Sequence, residues 1–202
     1  VLNFLRDAVS VVVTPVARFL LARGIGPDAV TVAGTVVVVV AALWAYPTGH
    51  LLVGTLVIAL FVLTDMLDGT MARLSGRAGP WGAFLDSTLD RVADAAIFAG
   101  LVIWFTGEGD SRLTALLALA ALVLGSVVPY ARARAEGLGL TANVGIAERA
   151  DRLAVVLVAT GVVGMGAPVA VLTVALGLLS LAALVTIVQR AATVRAQVRE
   201  RP

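Results

Sequence analysis

The apolar positions of this chain fall into six long runs separated by short polar stretches, at about 29–47, 51–73, 82–105, 113–134, 151–166 and 168–190. Crossing ~30 Å of hydrocarbon takes an α-helix of roughly 20 residues, which each run except the short fifth approaches. The N-terminal stretch 2–22, LNFLRDAVSVVVTPVARFLLA, is different. Arg6, Asp7 and Arg18 interrupt its apolar positions and Pro15 sits mid-segment, which predicts a kinked amphipathic helix lying along the membrane interface. It lacks a charged leader followed by an unbroken apolar core, so no cleavable signal is expected. The fold class predicted is all-α integral membrane, with six transmembrane helices preceded by an interfacial amphipathic helix. Gly34, Gly54, Gly100, Gly125 and Gly161 lie within the spans, where small residues let helices approach closely.

Composition excludes a soluble domain: 60% of the 202 residues are hydrophobic, only 14% are charged, and mean hydropathy is +1.01. With no cysteine, disulfides and thiolate metal sites are ruled out. All 15 basic residues are arginine against 13 acids, so the net charge of +2 says less than where the charges sit. If the N-terminus is cytoplasmic, Arg112 is the one arginine in an outer loop, while the inner segments hold Arg6, Arg18, Arg23, Arg73, Arg77, Arg132, Arg134, Arg149, Arg152, Arg190 and the tail arginines. Six spans return the C-terminus to the same side, so both termini are expected in the cytoplasm. The expected organisation is one membrane domain over 1–202: a juxtamembrane segment at 1–28, a six-helix bundle at 29–190 and a basic cytoplasmic tail at 191–202. The cell membrane is the expected location, and no nucleic-acid partner is expected.

The chemistry concentrates in DMLDGTMARLSGRAGPWGAFLDSTLD, residues 65–90. At about 100° per residue, Asp65, Asp68, Gly69 and Ala72 fall within one helical arc with Arg73 at its margin. On the next span Gly82, Asp86, Asp90 and Asp94 step by four, forming a second acidic stripe. The short joining loop allows the stripes to face each other as antiparallel neighbours. A carboxylate at the centre of a span costs roughly 2.5–3.5 kcal/mol on insertion scales, so the group needs neutralising partners. Arg73 and Arg91 supply two charges at most. Oxygen ligands without histidine or cysteine point to hard divalent cations such as Mg²⁺ or Mn²⁺. The small side chains beside them leave room for a bulky anion such as a diphosphate.

Asp65-x2-Asp68-Gly69-x2-Ala72-Arg73-x8-Gly82-x3-Asp86-x3-Asp90 resembles, at every position, the signature of the CDP-alcohol phosphotransferases. These are six-span enzymes that join a CDP-activated group to an alcohol and release CMP. The resemblance implies a two-metal centre (Mg²⁺ or Mn²⁺) held by Asp65, Asp68, Asp86 and Asp90, with Asp90 also the general base. It implies CDP-diacylglycerol contacts from Gly69, Ala72 and Arg73. Asp28 and Thr31, in the segment PDAVT, are similar to family residues that close over the nucleotide. A homodimer packed through its spans and surrounded by membrane lipid is the corresponding assembly.

The signature leaves the acceptor alcohol open. Arg132, Arg134, Arg152 and Arg190 are candidates for binding an acceptor phosphate, because guanidinium engages phosphate as a fork. Residues two apart on a helix diverge by about 200°, so Arg132 and Arg134 share a pocket only near a helix end. The stretch 130–153, with GAFLDSTLDRVADAAIFAGL and VQR, resembles the actinobacterial phosphatidylinositol-phosphate synthases, which implies inositol 1-phosphate as acceptor. A phosphatidylglycerophosphate synthase using glycerol 3-phosphate is the alternative within the family. A cation transporter is the alternative outside it, disfavoured because no second half of the chain echoes the acidic stripes. Asp94 lies a turn beyond the signature and reads as an ion-pair or hydrogen-bond partner of the site. His50 reads as solvent-facing, and Arg195, Arg199 and Arg201 as solvated or touching lipid headgroups.

Overall fold

The computed structural model describes residues 13–62, 64–146 and 148–200, with Thr64 and Asp65 described by their backbone alone. The described chain is helical, without strands. Helix α1 is described over Val13–Ala22. It is followed by α2 (Pro27–Ala45), α3 (Leu51–Val62), α4 (Thr64–Leu74), α5 (Pro80–Thr106), α6 (Arg112–Gly137), α7 (Arg149–Gly164) and α8 (Ala170–Glu200). Residues 2–12 of the expected interfacial helix lie outside the described residues, as does Arg201.

Four stretches are long and apolar enough to cross a membrane: α2, α3 with α4 (Leu51–Leu74), α6 and α8. The other two expected spans miss that standard for separate reasons. Helix α5 has 27 residues but carries Asp86, Asp90, Arg91 and Asp94, and α7 has only 16 residues. The largest departure from expectation is at the C-terminus. Instead of ending at 190 in a tail, α8 continues to Glu200. Residues 191–200, AATVRAQVRE, hold no glycine or proline, and alanine, glutamine and arginine are good helix formers.

Lipid tails are as apolar as leucine, so close packing and buried polar contacts carry helix association here. Helix α2 packs on α3, α4 and α5; α6 packs on α5 and α8; α7 packs on α3 and α8. At the α2–α5 crossing Gly100 lets the two backbones approach so closely that a Cβ there would strike the Ala42 carbonyl. The core of Ile58, Ile97, Leu101, Phe105, Val156 and Leu172 is threaded by small side chains such as Ala42, Ala96 and Ala118. Buried hydroxyls bind across helices: Tyr46 Oη with Thr55 Oγ1 at 3.0 Å, and Thr114 Oγ1 with Thr173 Oγ1 at 2.7 Å.

The two acidic helices turn Asp68 and Asp86 toward one shared space rather than packing directly on each other. Both lean on α2, and packing between α4 and α5 themselves is marginal at most. A space remains between them.

Candidate active site

That space is a cavity of about 300 Å³, bounded by the first turn of α2, the middle of α4, the 75–79 turn and the start of α5. Its walls include Asp28, Thr31, Asp68, Gly69, Ala72, Arg73, Gly82 and Asp86, so residues far apart in sequence meet at one place. A second hollow of about 430 Å³ adjoins it and shares Pro27, Asp28, Arg77, Gly79 and Gly82. Asp65 lies on α4, three residues before Asp68, with its side chain outside the described residues.

Helix α2 supplies the hydrogen bonds that hold the walls. Asp68 is buried, and its Oδ2 accepts from Thr31 Oγ1 at 2.6 Å. The same hydroxyl lies 3.1 Å from the Pro27 carbonyl, but it has one proton, and the shorter contact with a carboxylate is the stronger claim on it. One turn earlier, Asp28 Oδ2 accepts from Trp81 Nε1 at 3.0 Å. Thus Thr31 ties α4 to α2, and Asp28 ties the first turn of α5 to it.

The glycines are explained by the space rather than by the protein around them. A Cβ at Gly82 would meet nothing within 4 Å, and one at Gly69 would meet only Arg73 Nη1, at an ordinary 3.7 Å. Glycine in a helix is less favourable than alanine by about 1 kcal/mol, and no neighbouring protein atom requires it here. The room it leaves belongs to the cavity. Positive potential faces the acids: Arg73 and Arg77 line the walls, and α2 and α5 both start there with proline after an uncapped glycine. Their first N–H groups have no side-chain acceptor and favour an anion.

The site can accommodate a divalent cation together with a phosphate group. Its donors are carboxylate oxygens, the ligand type of Mg²⁺ and Mn²⁺. Among the described residues no three acidic or histidine side chains are gathered tightly enough to cage an ion alone.

Beyond Asp86 the acids continue along α5. Asp90 Oδ1 is 2.9 Å from Arg149 Nη1, and Asp90 Oδ2 is 3.6 Å from Arg91 Nη1. Arg149 also forks onto Asp94, Nη2 to Oδ1 at 3.0 Å and Nε to Oδ1 at 3.1 Å. The ion-pair role expected for Asp94 is therefore present. Of the four arginines assigned to an acceptor phosphate, Arg152 is buried beside Asp94, Ser126 and Gly125. Arg132 is exposed and pairs with Glu136 at 2.9 Å. Arg134 is exposed on α6. Arg190 donates Nε to the Val144 carbonyl at 2.9 Å and Nη1 to the Val128 carbonyl.

Three participants were not assigned from the sequence: Arg77 in the cavity wall, Trp81 as the partner of Asp28, and Arg149 across Asp90 and Asp94. Arg77 and Trp81 stand inside the 65–90 motif, and Arg149 stands inside the arginine-rich stretch, so their positions were the available signal.

Residues 25–188 match the family model described as CDP-alcohol phosphatidyltransferase. The chain belongs to the CDP-alcohol phosphatidyltransferase family. It is a membrane-embedded enzyme of that family. A phosphatidylinositol phosphate synthase of Streptomyces avermitilis is 48% identical over 195 residues, covering 94% of this chain and 80% of the relative. One from Cutibacterium acnes is 48% identical over 191 residues, covering 91% and 92%. Among solved structures, that of Mycobacterium tuberculosis phosphatidylinositol phosphate synthase with CDP-DAG bound superposes with a TM-score of 0.87 at 42% identity, covering 90% of this chain and 92% of the other. The same enzyme in complex with manganese and citrate gives a TM-score of 0.87 at 42% identity, covering 90% and 88%. Of the signature residues, Asp68, Gly69, Ala72, Arg73, Gly82 and Asp86 line the cavity, and Asp90 lies one turn beyond it on α5.

Proposed function

We propose that this phosphatidyltransferase transfers the phosphatidyl group of CDP-diacylglycerol to myo-inositol 1-phosphate, giving phosphatidylinositol phosphate and CMP. The observation that carries the reading is the line of Asp86, Asp90 and Asp94 on α5, which runs about 12 Å from the cavity to the Arg149 and Arg152 side chains. A donor site and an acceptor site are joined by one helix, and Asp90 stands between them. The two relatives and the CDP-DAG complex described above support the same substrates.

In this reading Gly69, Ala72 and Gly82 leave room for the diphosphate of CDP-diacylglycerol, Arg73 and Arg77 meet its charge, and Asp28 and Thr31 border the nucleotide. Arg152 and Arg190, with Arg132 beside them and Arg134 on the same helix, face the acceptor phosphate. An inositol hydroxyl attacks the phosphatidyl phosphorus, the bond from that phosphorus to the CMP oxygen breaks, and Asp90 accepts the hydroxyl proton. Asp65, Asp68, Asp86 and Asp90 would hold two Mg²⁺ or Mn²⁺ ions, which when bound supply neutralisation of the charge that develops on the leaving phosphate. Arg149 keeps the Asp90 carboxylate oriented across α5.

The same reading makes six crossings of the cell membrane, counting α5 and α7, with the site and both termini on the cytoplasmic side. It treats 1–202 as one domain, 29–190 being the bundle, and two copies associate through their spans. Purified protein with CDP-diacylglycerol and Mg²⁺ or Mn²⁺ should release CMP when inositol 1-phosphate is added. Release with glycerol 3-phosphate alone would assign the chain to phosphatidylglycerophosphate synthesis instead. Asp90→Asn should reduce turnover by at least a hundredfold while CDP-diacylglycerol still binds; near-normal turnover would remove Asp90 from the role of base.

A further inference from the structure

The extension of α8 beyond residue 190 does not project freely, and the segment it touches is the connection between α6 and α7. At Thr186 the hydroxyl accepts from Ile146 N at 3.3 Å, and Gly145, with φ +151°, approaches so closely that a Cβ would lie 2.5 Å from Thr186 Cγ2. One turn on, Arg190 Nε donates to the Val144 carbonyl at 2.9 Å. A further turn on, Val194 packs on the buried cluster of Ala135, Leu140 and Ala142. Finally Gln197 pairs with a single residue through both ends of its amide: Thr141 N donates to Oε1 at 3.0 Å, and Nε2 donates to the Thr141 carbonyl at 2.6 Å. Positions 186, 190, 194 and 197 repeat at helical spacing, so one face of α8 meets 146, 144, 142 and 141 in descending order. The connection lies antiparallel along the helix as a strap.

The strap leads into the first turn of α7, where Glu148 N donates to Asp151 Oδ2 at 3.2 Å and where Arg149 and Arg152 stand. That turn meets α5 through the Arg149 contacts with Asp90 and Asp94 and through Arg152, buried beside Asp94, while the body of α7 packs on α3 and α8. We infer that the 191–200 extension of α8 is a splint for the acceptor side of the site, and that Gln197 is a positioning residue acting through Thr141 and the strap on Arg149 and Arg152. This assignment rests on the acceptor reading given above. It gives residues 191–200 a part in acceptor affinity.

The test is a pair of full-length variants, Gln197→Leu, which keeps the bulk and removes both amide contacts, and Gly145→Ala, which pushes the strap from Thr186. Steady-state CMP release should show KM for inositol 1-phosphate raised about fivefold in each, the equivalent of one net hydrogen bond, with kcat and KM for CDP-diacylglycerol within twofold of the parent. Hydrogen exchange of amides 138–146 should quicken in both. An acceptor KM that stays put while exchange quickens would overturn the inference, as would kcat and both KM values moving together, which marks general destabilisation. If the parent accepts only glycerol 3-phosphate, the substrate assignment fails, and the same split in KM, read with that acceptor, still decides the role of Gln197.

Discussion

At the scale of single residues, the cavity is maintained by absent and by tethered side chains. Gly69 lies inside α4 with room for a methyl group. Gly69→Ala should leave the melting temperature unchanged or raise stability by up to about 1 kcal/mol, yet lower CMP release more than tenfold by filling space meant for substrate. Thermal unfolding in detergent, run beside the activity assay, separates the two effects. Thr31 acts by tethering. Thr31→Val keeps the shape but removes the hydroxyl on Asp68, and should weaken Mn²⁺ binding about tenfold, since partners that orient a metal ligand are worth tenfold or more. Titration of Mn²⁺ followed by electron paramagnetic resonance would show this without turnover; an unchanged affinity would make Thr31 a nucleotide contact only. The 65–90 motif pointed to Gly69 and Asp68 because their spacing is local, whereas Thr31 came from the likeness of PDAVT to a family segment. The bonds of Thr31 to Asp68, Trp81 to Asp28 and Arg149 to Asp90 span 37, 53 and 59 residues of chain. Such pairings depend on how helices cross, which helical periodicity does not encode.

At the scale of elements, the apolar runs located the helices to within a few residues, except where polar residues continue a helix. Helix α8 passes its apolar run by ten residues because its arginines and Gln197 favour helix as much as its leucines do. The neighbouring strap alternates apolar positions, Leu138, Leu140, Ala142, Val144 and Ile146, but the alternation does not say which are covered: Leu140 and Ala142 are buried and the other three exposed. The joint between α2 and α5 is different, since Gly100 was noted as a packing residue and proves to be the crossing point. Gly100→Val should destabilise the fold by about 1–3 kcal/mol, the usual cost of overpacking, and lower the melting temperature accordingly. Gly69→Ala, a smaller gain in volume with an open cavity beside it, should not.

At the scale of the whole molecule, the distribution of arginine predicts one cytoplasmic face carrying the cavity, the strap and the end of α8. The chain has no cysteine, so single cysteines introduced at His50 and Thr141 report on opposite sides without background. A membrane-impermeant maleimide added to intact cells should label the first and spare the second; labelling of both, or the reverse pattern, would overturn the six-crossing topology. Fold class and family were legible from hydropathy and one motif because lipid imposes long apolar helices and metal chemistry imposes fixed acidic spacing. The separation of α4 from α5 was not, because only the way α2 fits against both decides it. That separation bears on how a two-tailed substrate arrives. Trp81 and Phe84, stacked at 6.0 Å and largely exposed, flank the start of α5 beside the gap. Such a gap would let a phospholipid precursor bring its polar end in sideways while both acyl tails stay among their neighbours in the leaflet.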